Sequence, residues 1–288
     1  MKLEKFTNIE QHSSVLIEEY LSKPIKVKKL TKASFVIRAT LFSLLFITMY
    51  GFYFYDYKGI NVLNALGATL ANFKTMFTEA HFSHFTFGEA VYATTVTLSL
   101  AVLTTLFGAM IALFLGLLAA RNLSNPIVSN AIRSVVAVVR AVPTVLWVLI
   151  FAIAAGLGSV AAVVGMTFHS VSYLVKAYSE SFEELDEGVV EALRASGASW
   201  WQIVSQAVIP SSMSYLISWT FLRFEINFGV AIAMGAAAAA GGIGFELFMA
   251  SAFYYDIREL GTITYFVLVV AIMLEVLATR IKARLRTA

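Results

Sequence analysis

The stretch Ala93–Ala119, ATTVTLSLAVLTTLFGAMIALFLGLLA, contains no charged residue and decides the fold class. About 20 helical residues cross the roughly 30 Å apolar core of a bilayer, so this stretch is long enough to span it. Across the chain, 59% of the residues are hydrophobic and only 14% are charged, whereas a soluble domain carries about 25% charged residues. Too few polar side chains remain to cover a water-facing surface. The sequence therefore predicts an all-α integral membrane protein.

Six apolar segments have the length of a transmembrane helix, and polar stretches separate them. We predict spans at Ala39–Tyr55, Ala93–Ala119, Ser134–Ala155, Gly158–Tyr178, Ser212–Met234 and Thr262–Ile281. The chain is then organised as an N-terminal segment, a first transmembrane helix, a connection, a main transmembrane domain and a tail. These parts cover residues 1–38, 39–55, 56–89, 90–281 and 282–288.

The distribution of basic residues predicts the orientation of the spans. Eight lysines and arginines lie within residues 1–38, and four more close the chain at Arg280, Lys282, Arg284 and Arg286. Cytoplasmic segments carry the excess of basic residues, and an even number of spans places both termini on one side. Both termini are therefore predicted to be cytoplasmic. The connection 56–89, with a helical apolar pattern at Ile60–Phe77, is predicted to lie on the outer side.

A long connection, residues 179–210, follows the fourth span on the predicted cytoplasmic side. Its second half, Val190–Pro210, reads VEALRASGASWWQIVSQAVIP. The pattern predicts two short helices with a sharp turn at Gly197, because glycine adopts the backbone conformations that such a turn needs. The second helix, with Trp200 and Ile203, has the apolar surface of a helix that fills a groove on a partner. An amphipathic loop resting on the membrane surface is the alternative.

This segment resembles the EAA loop of ABC importer permeases. In that loop Glu-Ala-Ala is followed after three residues by Gly and after nine more by Ile-x-Leu-Pro. The matching residues in this chain are Glu191, Ala192, Gly197 and Pro210. The resemblance implies that a separate ATP-hydrolysing subunit is coupled through Glu191, Ala192, Gly197, Trp200, Ile203 and Pro210. No GxxxxGK[ST] phosphate loop occurs in the chain, so the sequence does not predict an ATPase.

From about Glu89 to its C-terminus the chain looks most like the phosphonate permeases, the PhnE family. The stretches that carry the resemblance are Arg140–Pro143, His169-Ser170, Arg223–Asn227 and Gly241–Gly244. The resemblance implies a type I ABC importer permease core with an extra N-terminal helix, six transmembrane helices in all. It also implies a phosphonate-like cargo crossing the cell inner membrane. Gly229 stands where the family has a basic residue, so phosphate, phosphite or another small solute stays open as the cargo.

Ionisable residues within spans are candidate functional residues, because each costs a few kcal/mol on insertion scales. We predict a translocation path that contains Arg140, His169, Arg223, Glu225 and Asn227. Arginine suits the paired oxygens of a phosphate-like group. A purely structural role for Arg223, fixing helix packing, is the alternative. The family resemblance also implies an outer gate at Gly241, Gly242 and Gly244, with a plain loop as the alternative.

The resemblance implies a defined set of partners in the lipid bilayer. They are a second copy of this chain, two ATP-binding cassette subunits and an extracytoplasmic solute-binding protein, with no nucleic acid. It implies no resident cofactor and no catalytic residue, since ATP and Mg belong to the ATPase subunits.

Two rival classes are a secondary transporter and a membrane-embedded enzyme. The first predicts more carboxylates within the spans than Glu225 and Glu275. The second predicts a metal-ligating cluster, for which His81 and His84 are too few, and we predict no metal site. The absence of cysteine excludes thiol catalysis and disulfides.

Overall fold

The computed structural model describes residues 32–55 and 59–287, and every regular element within these ranges is a helix. Most of the predicted N-terminal segment 1–38 lies outside the described residues. The chain divides into a unit that ends at Val62 and a unit that starts at Leu63. The helices are α1 Lys32–Phe54, α2 Val62–Thr78, α3 Phe87–Ala119, α4 Pro126–Ala141, α5 Thr144–Ala155, α6 Ser159–Glu183, α7 Glu187–Ala195, α8 Trp200–Ile203, α9 Ile209–Ala237, α10 Ile243–Phe248 and α11 Ile257–Thr287.

Long apolar helices occupy the positions of the predicted spans. Five helical stretches are long and apolar enough to cross a membrane, and one bent pair makes a sixth. The five are Lys32–Phe54, Phe87–Ala119, Ser159–Glu183, Trp200–Ala237 and Ile257–Ile281. Each extends past its predicted span at one end or both, because a helix continues its backbone hydrogen bonds beyond the apolar layer. The prediction of six transmembrane helices is confirmed when the bent pair counts as one span.

The third predicted span is not a continuous helix. The predicted span Ser134–Ala155 is bent within its length, since α4 and α5 meet there at an angle of 91°. Pro143 causes the break, because proline has no N–H to donate and disfavours helical geometry at the residue before it. Val142 accordingly has extended backbone angles, with φ −87° and ψ 126°. The indole N–H of Trp147 donates to the carbonyl of Val139 across the bend, at 2.9 Å.

Small residues set the spacing of the central helices. A Cβ at Gly108 of α3 would lie 3.0 Å from Ser170 of α6, so the two helices approach closely there. The same holds between α5 and α6, where a Cβ at Gly165 would lie 2.5 Å from the backbone of Val148. Helices in lipid associate through such close backbone contacts rather than through the hydrophobic effect. The packing of α6 against α3 and α5 therefore depends on these glycines.

A polar joint connects the segment after α2 to the start of α11. Glu259 is only 1% exposed, and its carboxylate accepts the backbone N–H of His84 at 2.6 Å. The ring Nδ1 of His84 also lies 2.7 Å from Glu259. On the exposed side, Arg258 pairs with Glu79 at 3.0 Å. The predicted helix at Ile60–Phe77 is present as α2, and this joint fixes the segment that follows it.

Candidate functional site

The predicted coupling loop contains the expected pair of short helices. They are α7 and α8, and Gly197 between them has a φ of +83°, which glycine adopts without strain. At the start of α8, the backbone N–H of Ser199 donates to Gln202 at 2.7 Å. The second helix differs from the prediction, because α8 continues through a π-helical turn, Val204–Val208, directly into α9.

The predicted coupling residues divide between the surface and the interior. Trp200 is half-buried, and its indole N–H donates to the carbonyl of Leu123 at 2.9 Å. Ile203 is buried within the same apolar cluster as Phe182. The neighbouring Trp201, which is not among the predicted coupling residues, is 64% exposed. The remaining predicted coupling residues, all exposed, are Glu191, Ala192, Gly197 and Pro210.

A charged node lies next to this loop, where α3, α4 and α6 come together. Arg133 of α4 donates to the carbonyl of Ala119 at 2.9 Å and pairs with Glu183 of α6 at 2.6 Å. Glu183 also accepts the backbone N–H of Arg121, at 2.6 Å. Arg194 of α7 donates to the carbonyl of Asn122, one residue further along, at 2.8 Å. The node thus connects the C-terminal ends of α3 and α6, and the middle of α4, to the first coupling helix.

Two of the predicted path residues on α9, Arg223 and Asn227, belong to a buried polar network. Arg223 is 3% exposed, and its Nε–H donates to Ser170 Oγ on α6 at 3.0 Å. Ser170 Oγ lies 3.1 Å from Asn227 Oδ1, to which it donates. Asn227 Nδ2 in turn donates to Thr105 Oγ1 on α3 at 2.9 Å. The network joins three helices through a charged group that lies away from solvent.

One donor in this network has no acceptor. The Nη2 atom of Arg223 is buried and makes no hydrogen bond within the described part of the chain. Its guanidinium carbon lies 5.2 Å from the centre of the Tyr173 ring, a cation–π contact. An unpaired buried donor costs about 1–3 kcal/mol, and more for a charged group. This donor is therefore available to an acceptor from outside the described residues.

Two other predicted path residues lie close to the network. His169 is half-buried on α6 and lies within electrostatic range of both Arg223 and Arg140. Its Nδ1 is buried without a hydrogen-bond partner among the described residues. Arg140 is exposed near the C-terminal end of α4, and Glu225 is half-buried on α9. The structure therefore brings Arg223, Asn227 and His169 together, with Arg140 in electrostatic range of His169.

The predicted outer-gate glycines form a tightly packed turn. Gly241 and Gly242 both have positive φ, +78° and +73°, which an L-residue adopts only with strain. A Cβ at Gly244 would overlap the carbonyl of Ile232 on α9. The N–H of Ile243 donates to Thr97 Oγ1 on α3 at 3.0 Å. The glycines thus fix the start of α10 against α3 and α9, and their role as a gate stays a prediction.

The chain is similar in sequence to a family of transport proteins. The family described as "Binding-protein-dependent transport system inner membrane component" matches residues 112–287. The phosphate-import permease protein PhnE of Mycolicibacterium smegmatis is 34% identical over 191 residues, covering 66% of this chain and 35% of the relative. The phosphite transport system permease protein PtxC of Stutzerimonas stutzeri is 32% identical over 180 residues, covering 62% and 65%. This chain thus spans less than two thirds of the length of either relative.

A solved structure shares the fold. A chain of the MetNI methionine ABC transporter, in an inward-facing conformation, superposes with a TM-score of 0.63 at 22% sequence identity. The match covers 71% of this chain and 99% of that chain. At this identity the likeness concerns the arrangement of helices alone.

Proposed function

Because the chain belongs to the family of binding-protein-dependent transport system inner membrane components, we propose that it is the permease subunit of an ATP-driven importer for a phosphonate-like oxyanion. The alternative cargoes within the same proposal are phosphate, phosphite or another small solute. Two relatives, a phosphate-import permease and a phosphite permease, support the oxyanion class. The likeness to a methionine transporter supports only the helix arrangement.

The buried Nη2 donor of Arg223, which has no acceptor among the described residues, is the observation that supports the cargo class. Arginine presents planar N–H donors that match the oxygens of a phosphate-like group. Here Ser170 holds the Nε side of the guanidinium, while Nη2 lacks an acceptor. His169 and Arg140 add donors or positive charge nearby. Such a path attracts an anion, and because its cations are few, it does not hold the anion in a deep well.

The partners follow from the same proposal. A second copy of the chain completes the path, and two ATPase subunits bind ATP and Mg and engage the loop around α7 and α8. An extracytoplasmic binding protein delivers the cargo to the side of α10. The side chain of Trp201 supports the ATPase contact, because a large exposed aromatic group outside the apolar layer is suited to a partner groove. Both termini then lie in the cytoplasm and the chain in the inner membrane.

The test is uptake by cells that express this chain together with its ATPase subunit and its binding protein. Labelled phosphonate, phosphite and phosphate are supplied in turn, with unlabelled methionine as a competitor. We expect Arg223→Gln to lower uptake about tenfold or more, which equals roughly 1.4 kcal/mol in the transport barrier. The control Lys74→Gln, on exposed α2, should leave uptake unchanged.

The variant must also be shown to assemble. Co-purification of the ATPase subunit with Arg223→Gln separates a transport defect from a folding defect, because a misfolded chain would not present its coupling loop. Competition by methionine, with none by the three oxyanions, would refute the cargo class. Normal oxyanion uptake by an assembled Arg223→Gln variant would refute the role of Arg223.

A further inference from the structure

A cationic cleft lies between α4 and α6, and it shares Arg140 with the predicted translocation path. Its volume is about 140 Å³. Three of its lining side chains are cationic and none is acidic. The lining residues are Arg133, Val136, Ala137, Arg140, Val175, Lys176 and Ser179. This concentration of positive charge beside an apolar helix pair favours the binding of an anion.

The three cations differ in how fully they are neutralised. Arg133 is held by Glu183 at 2.6 Å and by the carbonyl of Ala119. Lys176 pairs with Glu180 at 3.5 Å, but both side chains are about half exposed, and such pairs contribute only about 0–1 kcal/mol. Arg140 makes no ion pair with any residue that the structure describes. The cleft therefore contains one arginine without an ion-pair partner among the described residues and one weakly paired lysine. Both side chains can bind an anion.

We infer that this cleft binds a phosphate-type oxyanion between Arg140 and Lys176. The guanidinium of Arg140 supplies a planar pair of donors, and the ammonium of Lys176 supplies a compact charge. Lys176 lies seven residues before the end of α6, or about 10 Å along the helix at 1.5 Å per residue. The site therefore lies about two helical turns from the predicted cytoplasmic end of α6, within reach of an anion from the water there.

Hydrogen bonds of Arg133 connect the cleft to the coupling loop. Arg133 lines the cleft and simultaneously binds Glu183, which in turn accepts the N–H of Arg121. An oxyanion in the cleft competes with Glu183 for Arg133. Its arrival therefore weakens the node that joins α3, α4 and α6 to α7. The interpretation of the cleft as a release site rests on the proposed function. Cargo that leaves the path then passes the cleft before it enters the cytoplasm.

The same chemistry has two possible sources, free phosphate or the phosphate headgroup of a bilayer lipid. The full chain is reconstituted in phosphatidylcholine vesicles, with or without phosphatidylglycerol, and its thermal unfolding is followed as inorganic phosphate is added. The variant is Arg140→Gln/Lys176→Gln, and the control is Lys74→Gln, which removes a charge outside the cleft.

We expect phosphate to raise the unfolding temperature of the wild type and the control in phosphatidylcholine, and the double variant to need at least about tenfold more phosphate. That result identifies free oxyanion. A rise caused only by phosphatidylglycerol, and lost in the double variant, supports the site with a lipid headgroup as its ligand. The inference is overturned if the double variant and Lys74→Gln respond alike in both arms. None of these readouts requires transport, so a failed uptake experiment leaves this test intact.

Discussion

At the scale of single residues, Gly197 gives a sharp prediction. Its φ of +83° is strained for other residues, yet no atom lies within 4 Å of a Cβ added there. We expect Gly197→Val to weaken ATPase association and uptake, because a β-branched residue resists this conformation by about 1–2 kcal/mol. Gly197→Asn is the matched control, since asparagine tolerates positive φ. Co-purification of the ATPase subunit measures the effect, and equal loss in both variants would point to surface contact rather than backbone geometry.

The residues of the polar network show what sequence alone reveals at this scale. Arg223 and His169 stand out in apolar segments, because a charge within a span is costly. Thr105 does not stand out, and Ser170 does so only as part of a family-like stretch, since small hydroxyls in membrane helices usually bond their own backbone. Only the folded chain shows that Ser170 is the acceptor that fixes Arg223.

At the scale of elements, the packing of α5 on α6 depends on Gly165. A Cβ there would lie 2.5 Å from the backbone of Val148, so Gly165→Ala forces the helices apart. We expect a loss of about 1–3 kcal/mol in unfolding free energy, measured by thermal unfolding in detergent. Gly229→Ala is the control, because no atom lies within 4 Å of its added Cβ. A loss of the same size in both variants would contradict the packing argument.

The start of α11 gives a prediction that depends on pH. Burial raises the pKa of Asp256, but hydrogen bonds from Glu259, Ser83 and Arg258 outweigh burial and hold its pKa below the ordinary value. A lowered pKa means that Asp256 stabilises the fold above its unfolded-state pKa of about 3.9. This contribution is lost as the pH falls through the lower, folded-state pKa.

Replacing Asp256 tests this directly. We expect Asp256→Ala to cost about 1 kcal/mol at pH 7, as the loss of a helix cap does. The difference from wild type should shrink as the pH drops below about 4. Asp256→Asn keeps an acceptor without the charge, so its cost at pH 7 should be smaller than that of Asp256→Ala, and this cost too should shrink as the wild type loses its ionic contribution at low pH. Thermal unfolding across a pH series measures both, and a pH-independent cost of Asp256→Ala would disprove the ionic part.

Helix periodicity and apolar length predicted the positions of most helices, but not how consecutive helices are connected. Pro143 lay within a predicted span, and its effect on Val142 was a readable signal of the break. The continuity of α8 with α9 had no such signal, since Pro210 at the start of α9 suits a new helix equally well. The pair His84 and Glu259 is separated by 175 residues, so no local pattern announces it.

At the scale of the whole molecule, orientation across the membrane is the prediction to test. The chain has no cysteine, so single cysteines report without background. We expect Ser196→Cys, beside the coupling turn, to react with an impermeant maleimide only in inside-out vesicles. Thr78→Cys, at the end of α2, should react only in right-side-out vesicles. Both positions are exposed. Reaction of both from one side would contradict the even number of spans.

The uninterrupted run from Trp200 to Ala237 has a mechanical consequence. It holds 38 residues, or about 57 Å of rod at 1.5 Å per residue. Its first turn lies in the coupling loop, its middle contains Arg223, and its far end adjoins the turn at Gly241. With no flexible linker between these points, the rod acts as a lever in the proposed coupling to the ATPase. A push on Trp201 that tilts it about its packed middle swings the far end in the opposite direction.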